Sequence, residues 1–436
     1  MKVLLTYFLA CAIAVASLAQ VPIPGDGSAD ITLDPGQTYI LSSTLQLASG
    51  VTLDGRGATI QVEDFEGHGI LINAASGVTI RNVTMVGFQR DPEVAGATFG
   101  DVPRFLVYSP QAQGLDILNS TFRDHVFSAL SLRDQTDLNV EGCQFLNIGM
   151  DVSQAAYPRY SFDAIFVGAY GSTRRVNIRD CFFRDIPATT RRYFLNDYKP
   201  DGDGVQVFEF VGGTVDSVAI EACAFHRMGR RGVKWQGGDR LTVRRCTFTD
   251  SGGGVGFIPP DDDYIHDVLI EDNDFSSLET AVWSNCAVDG AAEGVTFTNN
   301  RLVKCRHSIR TFGLGTFANS TFSQNTASGL ERTFATVKGS NLTFRSNTCT
   351  GWANEGSPSY YMGFLIVSGS SDVAIERNVL DTREPRTTAV YAQANTANVT
   401  VANNTWRVGT TARGTDDIIL DLAGGLTAAG NTTTLY

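Results

Sequence analysis

The residues with the clearest capacity for chemistry sit in short runs of similar phase. Three read Asp203-Gly-Val-Gln-Val-Phe-Glu209, Arg231-Gly-Val-Lys-Trp-Gln-Gly237 and Gly253-Gly-Val-Gly-Phe-Ile-Pro259. Asp163 and Asp203 open successive long units, with Asp201 two residues before Asp203. Carboxylates on adjacent strands could act as acid and base or as a nucleophile, and Asp201 with Asp203 could hold calcium. Their bland alternative is turn chemistry, since Asp before Gly is common in loops. Lys234 takes the fourth position of its run. A lysine whose pKa neighbouring cations have lowered, or an arginine, can take the proton beside a uronate carboxyl. Tyr160 is a second candidate base. Arg133, Arg310 and Lys338 are expected outward on the same face, where they could pair substrate carboxylates. Tyr198, Gln206, Gln236 and His266 are candidate polar contacts, and Trp283 a ring for stacking on sugar. Taken singly, each charge is more commonly a solvated surface group. Trp235 is phased inward as core. His125 and His226 fall in turns, and His307 reads as structural.

These residues need a scaffold that repeats. In each run positions three and five are apolar while position four varies, the period-two signature of a strand with one buried face. The runs return every 22 to 28 residues, so the strands stack rather than meander. A second pattern, V-x-I-x-x-N/C-x-F, alternates with the first. Its Asn/Cys slot is read through Asn82, Asn119, Cys143, Cys181, Cys223, Cys246, Asn273, Asn299, Asn325, Asn347, Asn378 and Asn403. The expectation is an all-β, single-stranded parallel β-helix of about 13 coils over residues 20–436, with an N-terminal cap over about 20–66. Stacked cysteines at about 4.8 Å spacing lie within disulfide reach. Cys143–Cys181 and Cys223–Cys246 are therefore candidate bridges, with a ladder of buried thiols the equal alternative. No metal-ligand spacing such as C-x-x-C is present.

Three early units are long: 36 residues from His68 to Arg104, 35 from Ser128 to Asp163 and 40 from Asp163 to Asp203. The excess falls in 89–103, 149–162 and 187–202, segments rich in Tyr, Arg and Asp, and a further insertion spans Pro260 to Asp267. Insertions clustered on one edge of a solenoid wall its binding face, which predicts a groove over residues 128–259.

Composition narrows the partners. The chain has 436 residues and a net charge of −12, which argues against a nucleic-acid backbone but not against an anionic polysaccharide met by local basic clusters. Met1 to Ala19 reads as a signal peptide, and no later apolar run approaches the roughly 20 residues that cross a bilayer. The expectation is a secreted, extracellular protein with neither nucleic acid nor membrane as partner. Sequons stand at Asn82, Asn119, Asn319, Asn341, Asn398, Asn403 and Asn431. Asn431 is the favoured glycosylation site, and sequons within the ladder are expected to be buried.

The repeat and the Asn/Cys ladder resemble the right-handed parallel β-helix proteins of the pectate lyase-like superfamily, over nearly the whole mature chain. Polygalacturonase-like hydrolases carry an Asp motif, an Asp-Asp and a G-H-G on successive strands. Here Ser161-Phe-Asp163-Ala, Asp201-Gly-Asp203-Gly and Gly229-Arg-Arg-Gly232 stand in comparable places, with the doublet broken and the histidine absent. Mannuronan epimerases and related lyases use Y-x-x-D-x-H. Tyr160-Ser-Phe-Asp163-Ala-Ile165 matches up to its last position, which is Ile. The resemblance implies a polysaccharide-active enzyme, with β-elimination on a uronate polymer the leading reading. Hydrolysis by Asp163, Asp201 and Asp203, C5-epimerisation and non-catalytic carbohydrate binding remain alternatives.

Overall fold

A computed structural model describes residues 21–88, 105–149, 162–186, 202–259, 264–286, 291–352, 362–382, 387–393, 395–409, 419–421 and 424–435. These residues hold 46 strands and no helix. Each strand pairs in parallel with its counterpart one coil away, as Phe162–Ala169, Gly202–Glu209, Arg231–Gln236 and Gly253–Phe257 do in turn. The chain is a right-handed parallel β-helix. One face is a sheet of sixteen strands; Val21–Pro22, Thr38–Leu41 and Thr59–Val62 precede His68, and thirteen follow it. The segment read as a cap thus already carries rungs in register with later coils.

The second sequence pattern shows why the coils stay in register. Its phenylalanines stack through the core as Phe122, Phe145, Phe183, Phe225, Phe248 and Phe275, with centroids 4.6–5.2 Å apart. Each such contact adds about 0.5–1.5 kcal/mol beyond area burial. A slip of one coil would break every stack at once.

Beside it runs the polar ladder, which departs from the expected positions. The buried members are Asn273, Asn300, Asn325, Asn347, Asn378 and Asn404. Each passes its backbone N–H and side-chain amide to the Oδ1 of the next, ending on Asn431. Asn82, Asn119, Asn299 and Asn403 lie one residue earlier, at φ values of 48–58°. That left-handed turn favours asparagine for its own reason, a local side-chain hydrogen bond. Pattern counting cannot separate the two uses where asparagines are adjacent. The sequons at Asn119 and Asn403 are consequently exposed, while Asn431 is engaged as the ladder's last acceptor.

Cys143, Cys181, Cys223 and Cys246 continue the ladder as free, buried thiols, so neither candidate bridge is formed. Each sulfur instead donates to a carbonyl of the preceding coil, Cys143 to Ile117, Cys181 to Val140, Cys223 to Ile178 and Cys246 to Ile220, at 3.4–3.6 Å. Among the described residues no helix is long and apolar enough to cross a membrane.

Candidate functional site

Register on the face of the opening runs aligns two columns. The first slot runs Asp163, Asp203, Arg231, Gly253, Thr280, His307, and the fourth runs Phe166, Gln206, Lys234, Gly256, Trp283, Arg310. Strict alternation would put these columns on opposite sides of the strand. The structure puts both outside, because slot two turns inward and the pairing skips it. A Cβ added at Gly204, Gly232 or Gly254 would lie 2.6, 2.3 or 2.5 Å from a ring atom of Phe225, Phe248 or Phe275. Glycine at slot two admits the aromatic stack in these three coils; the inward bend itself is shared by coils with Ala164 or Phe334 in that slot, both fully buried. The columns touch: the Thr333 and Thr336 hydroxyls are 3.1 Å apart. A Cβ on Gly256 would lie 2.7 Å from Arg231 Cδ and 2.9 Å from Trp283 Cε2.

The bend brings Asp163, Asp203, Arg231 and Lys234 together. Arg231 grips Asp203 with two parallel bonds, Nε to Oδ1 at 2.8 Å and Nη2 to Oδ2 at 2.9 Å, and both side chains are 0% exposed. Both Asp203 oxygens are engaged and the side chain is fully buried, which closes it to a substrate proton or a calcium ion in this arrangement. Among the described residues no group of three or more potential metal ligands comes together. Lys234 is 6% exposed. Burial first, then repulsion from Arg231, pulls its pKa from 10.5 to about 7, against the pull of Asp203 and Asp163. Gln206, its cross-strand partner, donates to Gln236 Oε1 at 2.8 Å.

Other expected contacts are placed differently. Trp283 points outward but is 2% exposed. The Arg231 and Arg230 guanidiniums lie over its ring at 5.2 and 5.9 Å, so it stacks on cations rather than standing open to a sugar. Trp235 is core, as its phase predicts. Arg310 packs on Phe312 at 4.0 Å. His307 Nδ1 meets Thr333 Oγ1 at 2.9 Å, and burial holds its pKa well below 6.5, leaving the ring neutral. His266 is not brought to this face. Its strand, Tyr264–His266, joins the neighbouring face, where Nδ1 is 3.5 Å from Glu293 Oε2 beside Asp239, Arg240 and Asp267. Lys338 stands at the corner between Thr333–Val337 and Gly339–Arg345. Tyr160, Tyr198 and Asp201 lie outside the described residues.

Sequence reasoning missed the aromatic group upstream of the charged quartet. His68 and Phe105 hold the first slot of their coils, and Tyr108 and Phe166 the fourth. His68 stacks with Phe105 at 5.3 Å and meets Tyr108 at 4.3 Å with the rings tilted by 48°. The Arg133 guanidinium lies over Tyr108, Phe166 and Tyr170 at 5.5, 5.7 and 5.5 Å. The spacing counted from His68 set Arg104 in the first slot of the next coil; the register puts Phe105 there, one residue later, and with it Tyr108 in the fourth.

Residues 167–354 and 265–431 match the family described as right handed beta helix region. No curated protein matches the sequence. Among solved structures, tailspike protein 3 of bacteriophage CBA120 aligns over 93% of this chain and 57% of its own, at 12% identity and a TM-score of 0.55. This chain thus spans little more than half of the tailspike. A mutant of the periplasmic alginate epimerase AlgG aligns over 93% of this chain and 85% of its own, at 10% identity and a TM-score of 0.50. At such identities the likeness is one of fold.

Proposed function

The chain belongs to the right-handed β-helix family, and on that scaffold we propose a secreted enzyme that acts on a uronate-containing polysaccharide by β-elimination. One observation carries the reading: on the outer face, a lysine with a pKa near neutrality sits with Arg231, Asp203 and Asp163. Lys234, whose amine lies near neutrality, is the candidate for moving the proton, with Asp203 held by Arg231 beside it. Its neutral amine takes the proton beside the uronate carboxyl. That electron pair becomes the C4–C5 double bond, the bond from C4 to the bridging oxygen breaks, and the ammonium returns a proton to the leaving oxygen. Substrate approaches past Gln206 and the half-exposed Gln236. Polysaccharide as substrate is in keeping with the fold neighbours, which include an alginate epimerase. Met1–Ala19 would direct the export.

A second reading is a non-catalytic carbohydrate-binding solenoid. The near-complete burial of Asp163, Asp203 and Lys234 favours it, as does the aromatic surface beside them.

The deciding experiment incubates the purified chain with a panel of uronate polymers, with and without calcium, and follows ultraviolet absorbance of unsaturated product. The lyase reading expects a rise that Lys234→Met abolishes. New reducing ends without unsaturation would replace it with hydrolysis. Solvent-deuterium incorporation without cleavage would replace it with epimerisation, and silence in all three assays with the binding reading.

A further inference from the structure

We infer that the aromatic cluster around Arg133 is a binding subsite for a negatively charged sugar unit, lying next to the Lys234 cluster; the inference rests on the polysaccharide reading above. Arg133 is half-buried, forms no ion pair among the described residues, and its Nε has no hydrogen-bond partner among them. Arg175, Arg227 and Arg301 elsewhere on the helix meet a carboxylate at 2.5–2.8 Å. Aromatic faces offset part of the cost of desolvating a guanidinium, but they leave its edge donors unmet. The Nε is itself buried, so the missing complement is an anion bound at the Nη1 and Nη2 donors.

The rings supply the rest of the site. Tyr170 is 53% exposed and lies flat on Phe210, with centroids 3.8 Å apart and planes at 9°. Phe210 leans on Phe208 at 4.4 Å. The platform is set in advance: Asp134 Oδ1 accepts from the backbone N–H of Tyr170 at 2.9 Å and of Gly171 at 2.7 Å. Gly168 makes room beneath, since a Cβ there would lie 2.7 Å from Phe166 and 3.2 Å from Phe210. His68 adds no charge at neutral pH, because burial first and Arg133 second lower its pKa to about 4. The site therefore offers a flat aromatic face and a single cation. A uronate sugar has the matching pair, an apolar C–H face and a carboxylate, whereas a neutral sugar leaves the cation unmet. Phe166 pairs with Gln206 and Gln206 with Lys234, so the Phe166 edge of the subsite lies two strand spacings, about 9.6 Å, from the lysine and the Arg133 strand three, about 14.4 Å.

The test is calorimetric titration of the full chain carrying Lys234→Met, which removes turnover, with an oligouronate and its carboxyl-reduced counterpart. The acid form should bind about 10- to 100-fold tighter, the range of a charged hydrogen bond. Arg133→Met should erase that preference and leave the reduced oligosaccharide bound as before. Tyr170→Ala, at an exposed position that the fold tolerates, should weaken both ligands. Equal affinity for the two oligosaccharides, or full affinity in the Tyr170→Ala chain, would overturn the subsite. So would acidic-peptide binding that depends on the same two residues. The lyase reading fails separately: if the unaltered chain yields no unsaturated product while the binding pattern holds, the subsite stands alone. If product forms with KM unchanged by Arg133→Met and Tyr170→Ala, the subsite falls and the lyase stands.

Discussion

Replacing Lys234 with methionine should remove a specific part of the pH dependence of stability. The lysine titrates near 10.5 when unfolded and near 7 in the folded chain, chiefly because it is buried. Between those values the unfolded chain holds one more proton than the folded chain, so stability contributed by this site rises with pH. The slope for one proton is about 1.36 kcal/mol per pH unit. Across the whole interval this comes to about 5 kcal/mol, comparable with the net stability of an ordinary domain. Below the folded pKa both states are protonated and the full penalty is felt; above 10.5 neither is, and the penalty is gone. Urea unfolding of the parent and Lys234→Met chains from about pH 7 to pH 10 would read the difference directly. Other groups that titrate in this window cancel in the subtraction. The stability of the parent relative to the variant should climb by about 1.4 kcal/mol per pH unit. Parallel curves would refute the reasoning, and with it the idea that this amine is available as a base near neutrality.

If Lys234 is the base, its neighbours should move the acid limb of the pH–rate profile in opposite directions. Arg231→Met removes a repelling cation and shifts the limb alkaline, while Asp203→Asn removes an attracting carboxylate and shifts it acid; shifts of the same sign would contradict the geometry. Arg231→Met should also cost about 3–5 kcal/mol in denaturant unfolding, because it leaves a buried carboxylate without its partner. Asn347→Ala should cost about 2–5 kcal/mol, since it strands the Asn325 donors and the Phe322 carbonyl. Asn299→Gly, at φ 55°, should change stability little. The ladder thiols, and Cys305 and Cys349 with them, should resist a thiol reagent until the chain unfolds, because all six are buried; burial also raises Cys305 to about 12 and holds Cys349 well above its ordinary value. Fast labelling of the native chain would show the ladder to be open.

Most of the fold was legible because a solenoid writes its structure locally. Apolar residues at positions three and five of each run, and an apolar residue two after each buried Asn or Cys of the ladder (phenylalanine after Cys143, Cys181, Cys223, Cys246 and Asn273), recur at one coil's interval. Stacking is the one arrangement that buries them all. Thirteen coils from His68 onward follow directly from that count. The ladder was legible only in part, because Asn299 and Asn300, or Asn403 and Asn404, satisfy the same pattern for different reasons. One bonds to its neighbours along the stack, and the other suits a left-handed turn.

The site depended on contacts between coils. The sequence by itself determined which residue types share a slot: Asp163 with Asp203 and Arg231, Gln206 with Lys234. It could not tell that slot one faces outward, since that follows from slot two turning into the core, where Gly204, Gly232 and Gly254 meet phenylalanines 16 to 21 residues further along the chain. Only the tertiary structure decided that Asp203 is clasped by Arg231, that Trp283 is covered by cations and that His266 stands on another face. It alone placed Arg133 among aromatic rings from the coils on either side of it. Local spacing sets the face of a strand by alternation. A bend imposed from the core overrides it, and the charge on Lys234 depends on what that bend brings near.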